Sequence, residues 1–109
     1  MYLYEAKVVK IVDGDTIDLD VILGFYMTAR IRFRLKGIDT PEIRGPERPE
    51  GLEAKQFVED FLGPIGSICT VQSYKTGKYG RWIGEIWNYN NENLGDALID
   101  NNHAERYYD

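Results

Sequence analysis

Two segments of this sequence alternate between apolar and polar residues, and this alternation constrains the fold more than any other feature. In residues 15–23 every second residue from Ile17 onward is apolar, and Asp18 and Asp20 lie between them. In residues 28–38 apolar residues alternate with the basic residues Arg30, Arg32, Arg34 and Lys36. A period of two predicts β-strands with one buried face. We therefore expect two half-buried strands, the second with a strongly positive outer face.

Three further segments are strand-like. Residues 4–12 are rich in Val, Ala and Ile, and they end at residues 13–15, which read Asp-Gly-Asp. This is a turn sequence, so the first two strands are expected to be neighbours. Residues 67–73 and 82–87 flank a stretch with two glycines, which predicts a second pair of neighbouring strands.

The rest of the chain predicts two helices and one loop. Residues 41–51 contain three prolines and two glycines, so we expect an exposed loop there. Residues 52–62 repeat apolar residues at helical spacing and are followed by Gly-Pro, which ends a helix. Asn93 can cap a short second helix that runs to about Asn102.

The order of these elements, β-β-β-α-β-β-α, predicts a mainly β protein of the α+β class with two or three helices. Short antiparallel connections and a helix between strands three and four are typical of the five-stranded OB-fold barrel. The chain has 109 residues, the length of one domain, and we expect one domain over residues 1–109.

Composition excludes several classes of protein. No segment approaches the ~18 apolar residues of a membrane span, and residues 1–12 contain no apolar core of a signal peptide. We therefore expect a soluble protein without a membrane partner, cytoplasmic unless a leader has been removed. The single cysteine, Cys69, excludes an intrachain disulfide, and the single histidine, His103, excludes paired-histidine metal sites.

The net charge of −5 opposes a broad nucleic-acid-binding surface. If the substrate is a polyanion, the positive charge that attracts it must be local. The basic residues near the predicted strand ends are Arg30, Arg32, Arg34, Lys75, Lys78 and Arg81.

Two acidic clusters each follow a predicted strand. They read Asp-Gly-Asp-Thr at residues 13–16 and Asp-Thr-Pro-Glu at residues 39–42. Brought together, the Asp15 and Asp39 carboxylates and the Thr40 carbonyl would be hard oxygen ligands, which Ca²⁺ and Mg²⁺ favour. Taken alone, each cluster is more often an ordinary turn.

Two arginines lie near these clusters in the predicted fold. Arg34 precedes Asp39 by five residues, and Arg81 precedes the fifth strand. A guanidinium can bind two phosphate oxygens, and beside a divalent cation it would stabilise a pentacoordinate phosphorus. The alternative is a solvated basic strand face.

Three segments together resemble the staphylococcal nuclease (thermonuclease) family. They are VDGDTI at residues 12–17, FRLKGIDTPE at residues 33–42 and KYGR at residues 78–81, in the family's order and with similar spacing. The resemblance extends from about residue 4 to residue 108. One departure is residues 21–29, where the second hairpin is longer and more apolar than the family's tight connection.

The resemblance implies a Ca²⁺-dependent phosphodiesterase that acts on DNA and RNA and leaves 5′-hydroxyl and 3′-phosphate ends. We also expect a preference for single strands and no obligatory protein partner. By matching position, the metal ligands are Asp15, Asp39 and Thr40, with Asp13 in the outer shell. Glu42 corresponds to the residue that orients or deprotonates the attacking water. Arg34 and Arg81 correspond to the phosphate clamps, and the nucleotide-binding contacts are Lys78, Tyr79 and Tyr108.

Two other interpretations compete with this one. Asp39 with Glu53 and Lys55 has the letters of the D…ExK motif of restriction-enzyme-like nucleases, although these residues fall in a predicted helix. A non-catalytic OB-type module that binds single strands would use aromatic residues for stacking. Its candidates are Tyr74, Tyr79 and Trp82.

Overall fold

A computed structural model describes residues 2–74 and 81–107, and within them five strands close into a barrel. These strands are β1 (Leu3–Asp13), β2 (Thr16–Gly24), β3 (Met27–Leu35), β5 (Ile68–Ser73) and β6 (Trp82–Trp87). Their order around the barrel is β1-β2-β3-β6-β5, and only the β3–β6 pair is parallel. The predicted fold class is confirmed.

Two short strands that the sequence did not predict form a separate antiparallel pair, β4 (Ile38–Asp39) and β7 (Glu105–Arg106). The strand predicted over residues 28–38 ends at Leu35, because a turn interrupts it. Gly37 adopts a φ of +66°, which a glycine reaches without the steric cost of a β-carbon. The turn moves Asp39 off the barrel sheet and onto β4.

The two described helices are α1 (Arg48–Leu62) and α2 (Leu94–Asp100). The cap of α2 is confirmed, since Asn93 Oδ1 accepts a hydrogen bond from the Asp96 backbone N–H at 3.0 Å. Neither helix is long and apolar enough to cross a membrane.

The prediction of a loop over residues 41–51 is wrong for the second half of this range. A short 3₁₀ helix occupies Gly45–Glu47, and α1 begins directly after it. Pro46 and Pro49 lie in the first turns of these helices, where a backbone N–H has no helical partner to lose. The prolines therefore start these helices rather than prevent them.

The second hairpin is long because its strands are long. β2 and β3 pair as far as Gly24 and Met27, and only Phe25 and Tyr26 form the turn. Both turn residues have positive φ, 53° and 61°, which is unusual for aromatic side chains. The Phe25 side chain is 95% exposed, so this turn projects from the barrel into solvent.

The core lies inside the barrel and beneath α1. Residues at alternate positions of the strands point inward, as the period of two predicts, and α1 covers them with one apolar face. The largest fully buried side chains are Phe33, Ile17, Leu19, Leu35, Ile38, Ile86, Leu94 and Leu98.

Candidate active site

Asp15 lies at the end of the turn between β1 and β2, and its carboxylate is buried. The Asp15 backbone N–H donates to Asp13 Oδ1 at 3.1 Å, which closes the turn. Asp15 Oδ1 accepts from the Thr16 hydroxyl at 3.1 Å, and Asp15 Oδ2 accepts from the Thr40 backbone N–H at 3.1 Å. The carboxylate therefore joins the first acidic cluster to the second.

Asp39 is the last residue of β4, and its backbone is paired with Glu105 of β7. Its side chain is 61% exposed, whereas the next residue, Thr40, is buried. The C-terminal strand thus fixes the position of a carboxylate that faces solvent beside the buried Asp15.

Arg34, near the end of β3, lies between the two carboxylates. Its Nη2 is 3.7 Å from Asp15 Oδ2 and 3.5 Å from Asp39 Oδ1, and it donates to the Ile38 carbonyl at 3.3 Å. Only 20% of the Arg34 side chain is exposed. The sequence-predicted residues Asp15, Asp39 and Arg34 therefore lie together, with Asp15 coming from the β1–β2 turn and the other two from the consecutive strands β3 and β4.

Tyr107 is a member of this site that the sequence analysis missed. Arg34 Nε donates to the Tyr107 hydroxyl at 3.4 Å, and the guanidinium carbon lies 5.5 Å from the centre of the tyrosine ring. The Tyr107 backbone N–H donates to the Gly37 carbonyl at 2.9 Å. Its neighbour Tyr108 was the predicted aromatic contact, and the two adjacent tyrosines were the only signal available. Tyr108, Lys78 and Tyr79 lie outside the described residues.

Glu42 is exposed on the loop that follows Thr40, and α1 supports its backbone. The Glu42 N–H donates to Glu47 Oε1 at 3.4 Å. A β-carbon at Gly51 would overlap the Glu42 carbonyl group, so only glycine allows α1 to approach this closely. The first turn of α1 therefore determines where the Glu42 backbone lies.

A cavity of about 240 Å³ lies between this loop and the segment before β7. Asp39, Thr40 and Glu42 line one side of it, and His103 and Glu105 line the other. The predicted metal ligand Asp39 and the predicted water-activating residue Glu42 therefore border the same open space.

Arg81 directly precedes β6 and is exposed. It lines a groove of about 380 Å³ together with Arg34. The two arginines predicted as phosphate clamps thus border one groove, and Arg34 also contacts the carboxylates.

Three carboxylates, those of Asp13, Asp15 and Asp39, determine the electrostatics of the site. Burial raises the pKa of Asp13 to about 6, and the hydrogen bond and the negative charge of Asp15 act in the same direction. Asp15 and Asp39 share one guanidinium, and all of the candidate ligands are oxygens. In residues 2–74 and 81–107 no three His, Cys, Asp or Glu side chains form a metal-holding group. A hard cation bound here would thus rely on two carboxylates and the Thr40 carbonyl, a donor set that fits Ca²⁺.

The prediction of a strongly positive face on β3 is wrong for two of its arginines, because aspartates of β2 neutralise their charge. Arg30 Nε lies 2.8 Å from Asp20 Oδ1, and Arg32 Nε lies 2.7 Å from Asp18 Oδ1. Each arginine forms a bidentate ion pair with its aspartate. The hydrogen bond from Arg30 also lowers the pKa of Asp20. Arg34 differs because the residue across from it on β2 is Thr16, which carries no charge.

The D…ExK interpretation is not supported by the fold. Glu53 and Lys55 lie within α1, whereas that motif places the Glu and Lys on a strand beside the aspartate. Glu53 is an exposed residue on the helix surface.

Comparison with known proteins finds one matching family model. Residues 32–109 match the model described as staphylococcal nuclease homologue. This range contains Arg34, Asp39, Thr40, Glu42 and Arg81.

Several curated relatives are similar over much of the chain. Endonuclease YhcR of Bacillus subtilis is 30% identical over an alignment of 115 positions that covers 96% of this chain and 9% of the relative. An uncharacterized protein of Methanocaldococcus jannaschii is 32% identical over an alignment of 112 positions that covers 84% of this chain and 52% of the relative. The thermonuclease of Staphylococcus hyicus is 30% identical over 84 residues, 74% of this chain and 47% of the relative. The chain spans about half or less of the length of these relatives.

Proposed function

This chain belongs to the family of staphylococcal nuclease homologues, and we propose that it is a Ca²⁺-dependent nuclease. Its substrates are DNA and RNA, preferably single-stranded, and its products carry 3′-phosphate and 5′-hydroxyl ends. The observation that carries the proposal is the convergence of two carboxylates, Asp15 and Asp39, on the guanidinium of Arg34. Asp15 comes from a segment distant in sequence from the one that carries Arg34 and Asp39, and a domain with only a packing role does not need the three together.

The cation would be held by Asp15, Asp39 and the Thr40 carbonyl. Asp15 is suited to this role because its buried carboxylate is oriented by hydrogen bonds from Thr16 and Thr40. Bound Ca²⁺ supplies a Lewis acid that makes water more acidic and offsets phosphate charge. Asp13 would act in the outer shell of the site, because its carboxylate accepts a hydrogen bond from the Asp15 backbone N–H and so helps to position Asp15.

Glu42 accepts the proton of the attacking water. Its exposed side chain is on the loop that lines the same cavity as Asp39, and α1 holds its backbone in place. A carboxylate positioned beside the water contributes about 10² or more to the rate of proton transfer.

Arg34 and Arg81 bind the phosphate oxygens. A guanidinium offers several N–H donors in one plane, so it can hold two oxygens while charge accumulates on them in the transition state. The contacts of Arg34 with Tyr107 and the Ile38 carbonyl orient this plane before substrate arrives. Water adds to the phosphorus opposite the 5′ oxygen, the bond between phosphorus and this oxygen breaks, and the departing oxygen takes a proton from solvent to become the 5′-hydroxyl.

A gel assay of a single-stranded DNA and a single-stranded RNA with Ca²⁺, Mg²⁺ or chelator tests the proposal. We expect shortening with Ca²⁺, little with Mg²⁺ and none in chelator. Calorimetry should show that Asp15→Asn and Asp39→Asn lose Ca²⁺ affinity. A protein that retains both strands and never shortens them under any condition would instead be the non-catalytic single-strand-binding module.

Two matched variants identify the proton acceptor. Glu42→Gln should lower the cleavage rate by about 10² or more, whereas Glu53→Gln on the surface of α1 should have little effect. The reverse ranking would transfer the role to the helix and support the D…ExK interpretation.

A further inference from the structure

The groove beside Arg34 extends beyond the residues that the proposed mechanism uses. It has a volume of about 380 Å³ and is lined by Thr16, Arg32, Arg34, Arg81 and Trp82. Arg34 and Arg81 are the proposed phosphate clamps. Thr16, Arg32 and Trp82 are additional, and they place an aromatic surface directly next to the phosphate site.

Trp82 is the first residue of β6 and is paired with Phe33 of the parallel strand β3. Phe33 is buried in the barrel, but Trp82 remains 43% exposed. An indole ring is the largest apolar side chain, and leaving this much of it in water forgoes favourable burial. Its position at the groove suggests that a ligand covers it.

The remaining lining residues indicate what kind of ligand this is. Arg32 contributes a planar guanidinium, but its charge is paired with Asp18, so it is not the main anchor for a phosphate. Thr16 contributes a hydroxyl that already donates to Asp15, which connects the groove to the proposed metal site. An aromatic ring and guanidinium planes beside a phosphate clamp are the features that bind a nucleotide base by stacking.

We propose that the Trp82 groove is a base-binding subsite, in which the indole stacks on an unpaired base adjacent to the phosphate held by Arg34 and Arg81. This inference rests on the proposed function, since that function places the phosphate there. A base that stacks on a protein ring has left its own helix, so the subsite favours single strands over duplexes. The net charge of −5 makes such a contact valuable, because long-range attraction of a polyanion is absent.

Two ligands of equal charge separate stacking from phosphate binding. One is an eight-nucleotide oligothymidylate, and the other is an eight-unit abasic chain with the same phosphates and no bases. Affinities are measured with Ca²⁺ in a Glu42→Gln background, so that the strand is not shortened. Trp82→Leu should weaken oligothymidylate binding by about tenfold or more and leave the weak abasic binding unchanged.

Tyr89 provides a matched control, because it is an aromatic residue 81% exposed in the turn after β6, away from the groove. Tyr89→Leu should leave both affinities unchanged. Trp82→Phe retains an aromatic face and should lose less than about threefold. Equal losses for both ligands in Trp82→Leu, or no loss for either, would overturn the proposal.

Fluorescence gives a second measurement that does not depend on the leucine variant. The chain has two tryptophans, Trp82 and Trp87. Oligothymidylate should quench the emission of a protein that contains both, and Trp82→Phe should abolish most of this quenching. Unchanged quenching in Trp82→Phe would assign it to Trp87 and contradict the subsite.

The outcomes distinguish this inference from the proposed function. If the unsubstituted protein shortens single strands with Ca²⁺ but Trp82 variants bind normally, only the subsite fails. If no strand is shortened, yet Trp82→Leu loses oligothymidylate and not the abasic chain, the groove binds single strands and the nuclease proposal fails.

Discussion

The two ends of β3 carry the same residue type on the same face and meet different neighbours. At the hairpin end, Arg30 is paired with Asp20 of β2 and is largely exposed. At the other end, Arg34 lies opposite the uncharged Thr16, is mostly covered, and contacts Asp15 and Asp39 from two other segments.

The cross-strand neighbour therefore decides what a strand arginine contacts. An acid directly opposite binds the guanidinium and cancels its charge within the sheet. A neutral residue opposite leaves the guanidinium to bridge groups from other elements, which is the arrangement a phosphate clamp needs. Only the Arg34 end therefore combines positive charge with the acidic clusters.

Lysine substitutions of these two arginines should differ most strongly in their effect on the cleavage rate. Arg34→Lys should lower the rate of the catalytic step by about 10² or more, because an ammonium group cannot bind two phosphate oxygens in the bidentate geometry of a guanidinium. Arg30→Lys, on the same face of the same strand, should change it by less than about threefold. Single-turnover cleavage with Ca²⁺ measures both. Similar rates for the two variants would mean that position along the strand does not matter.

A substitution in α1 tests how rigidly this helix holds the backbone of Glu42. Gly51→Ala places a β-carbon against the Glu42 carbonyl and should lower kcat by about tenfold and the free energy of unfolding by about 1–3 kcal/mol. The Ca²⁺ affinity should change little, since Glu42 is not a proposed ligand. Gln56→Ala on the exposed surface of α1 is the control and should affect neither quantity. Normal kcat in Gly51→Ala would show that the loop adjusts freely.

Replacing an aspartate by asparagine should change the free energy of unfolding differently at the two ends of β3, where Asp13 and Asp20 are the residues to compare. Burial and Asp15 raise the pKa of Asp13 from 3.8 to about 6, so the folded state binds more protons than the unfolded state between these values. The stability of the metal-free protein therefore falls as the pH rises from about 4 to about 6, and then levels off. Asp13→Asn should gain about 1–2 kcal/mol at pH 7 and lose this advantage towards pH 4, after allowance for solvent around the side chain.

Asp20 is the control for this measurement, because its hydrogen bond to Arg30 lowers its pKa. Asp20→Asn should give no gain at pH 7. Denaturant unfolding in chelator over this pH range measures both variants. Stability of Asp13→Asn equal to that of the unsubstituted protein at pH 7 would contradict a pKa of Asp13 raised by burial and by Asp15.

The smallest expected effect concerns the hairpin tip. Replacing Phe25 and Tyr26 with Asn and Gly suits the positive φ of both positions and should raise the free energy of unfolding by about 1 kcal/mol. Thermal unfolding measures the gain, and the cleavage rate should stay the same. A fall in the rate would show that the hairpin end takes part in substrate binding after all.

Local sequence patterns were sufficient for most of the framework. The period of two placed β2 and β3, whereas apolar composition and turn signals placed the other three barrel strands. The helical spacing of residues 52–62 placed most of α1, and Asn93 marked the start of α2. The two acidic clusters were identified because each follows a predicted strand, and Arg34 because it belongs to one. That they form one site was expected from the resemblance to the nuclease family. The start of α1 was missed because proline is equally compatible with a loop and with the first turn of a helix.

Residue pattern alone shows which side of β2 and β3 is buried and which stretches carry the acids and arginines. Which of those charges meet depends on the folded chain. The pairing of Arg30 and Arg32 with Asp20 and Asp18 depends on a register set by the turn at residues 25–26, and an aromatic pair there does not resemble a tight-turn sequence. The contact of Tyr107 with Arg34 joins residues 73 positions apart, and the groove at Trp82 needs β3 and β6 side by side. Periodicity is a local property that reports the face of a strand, whereas a contact between distant residues exists only after the chain has closed.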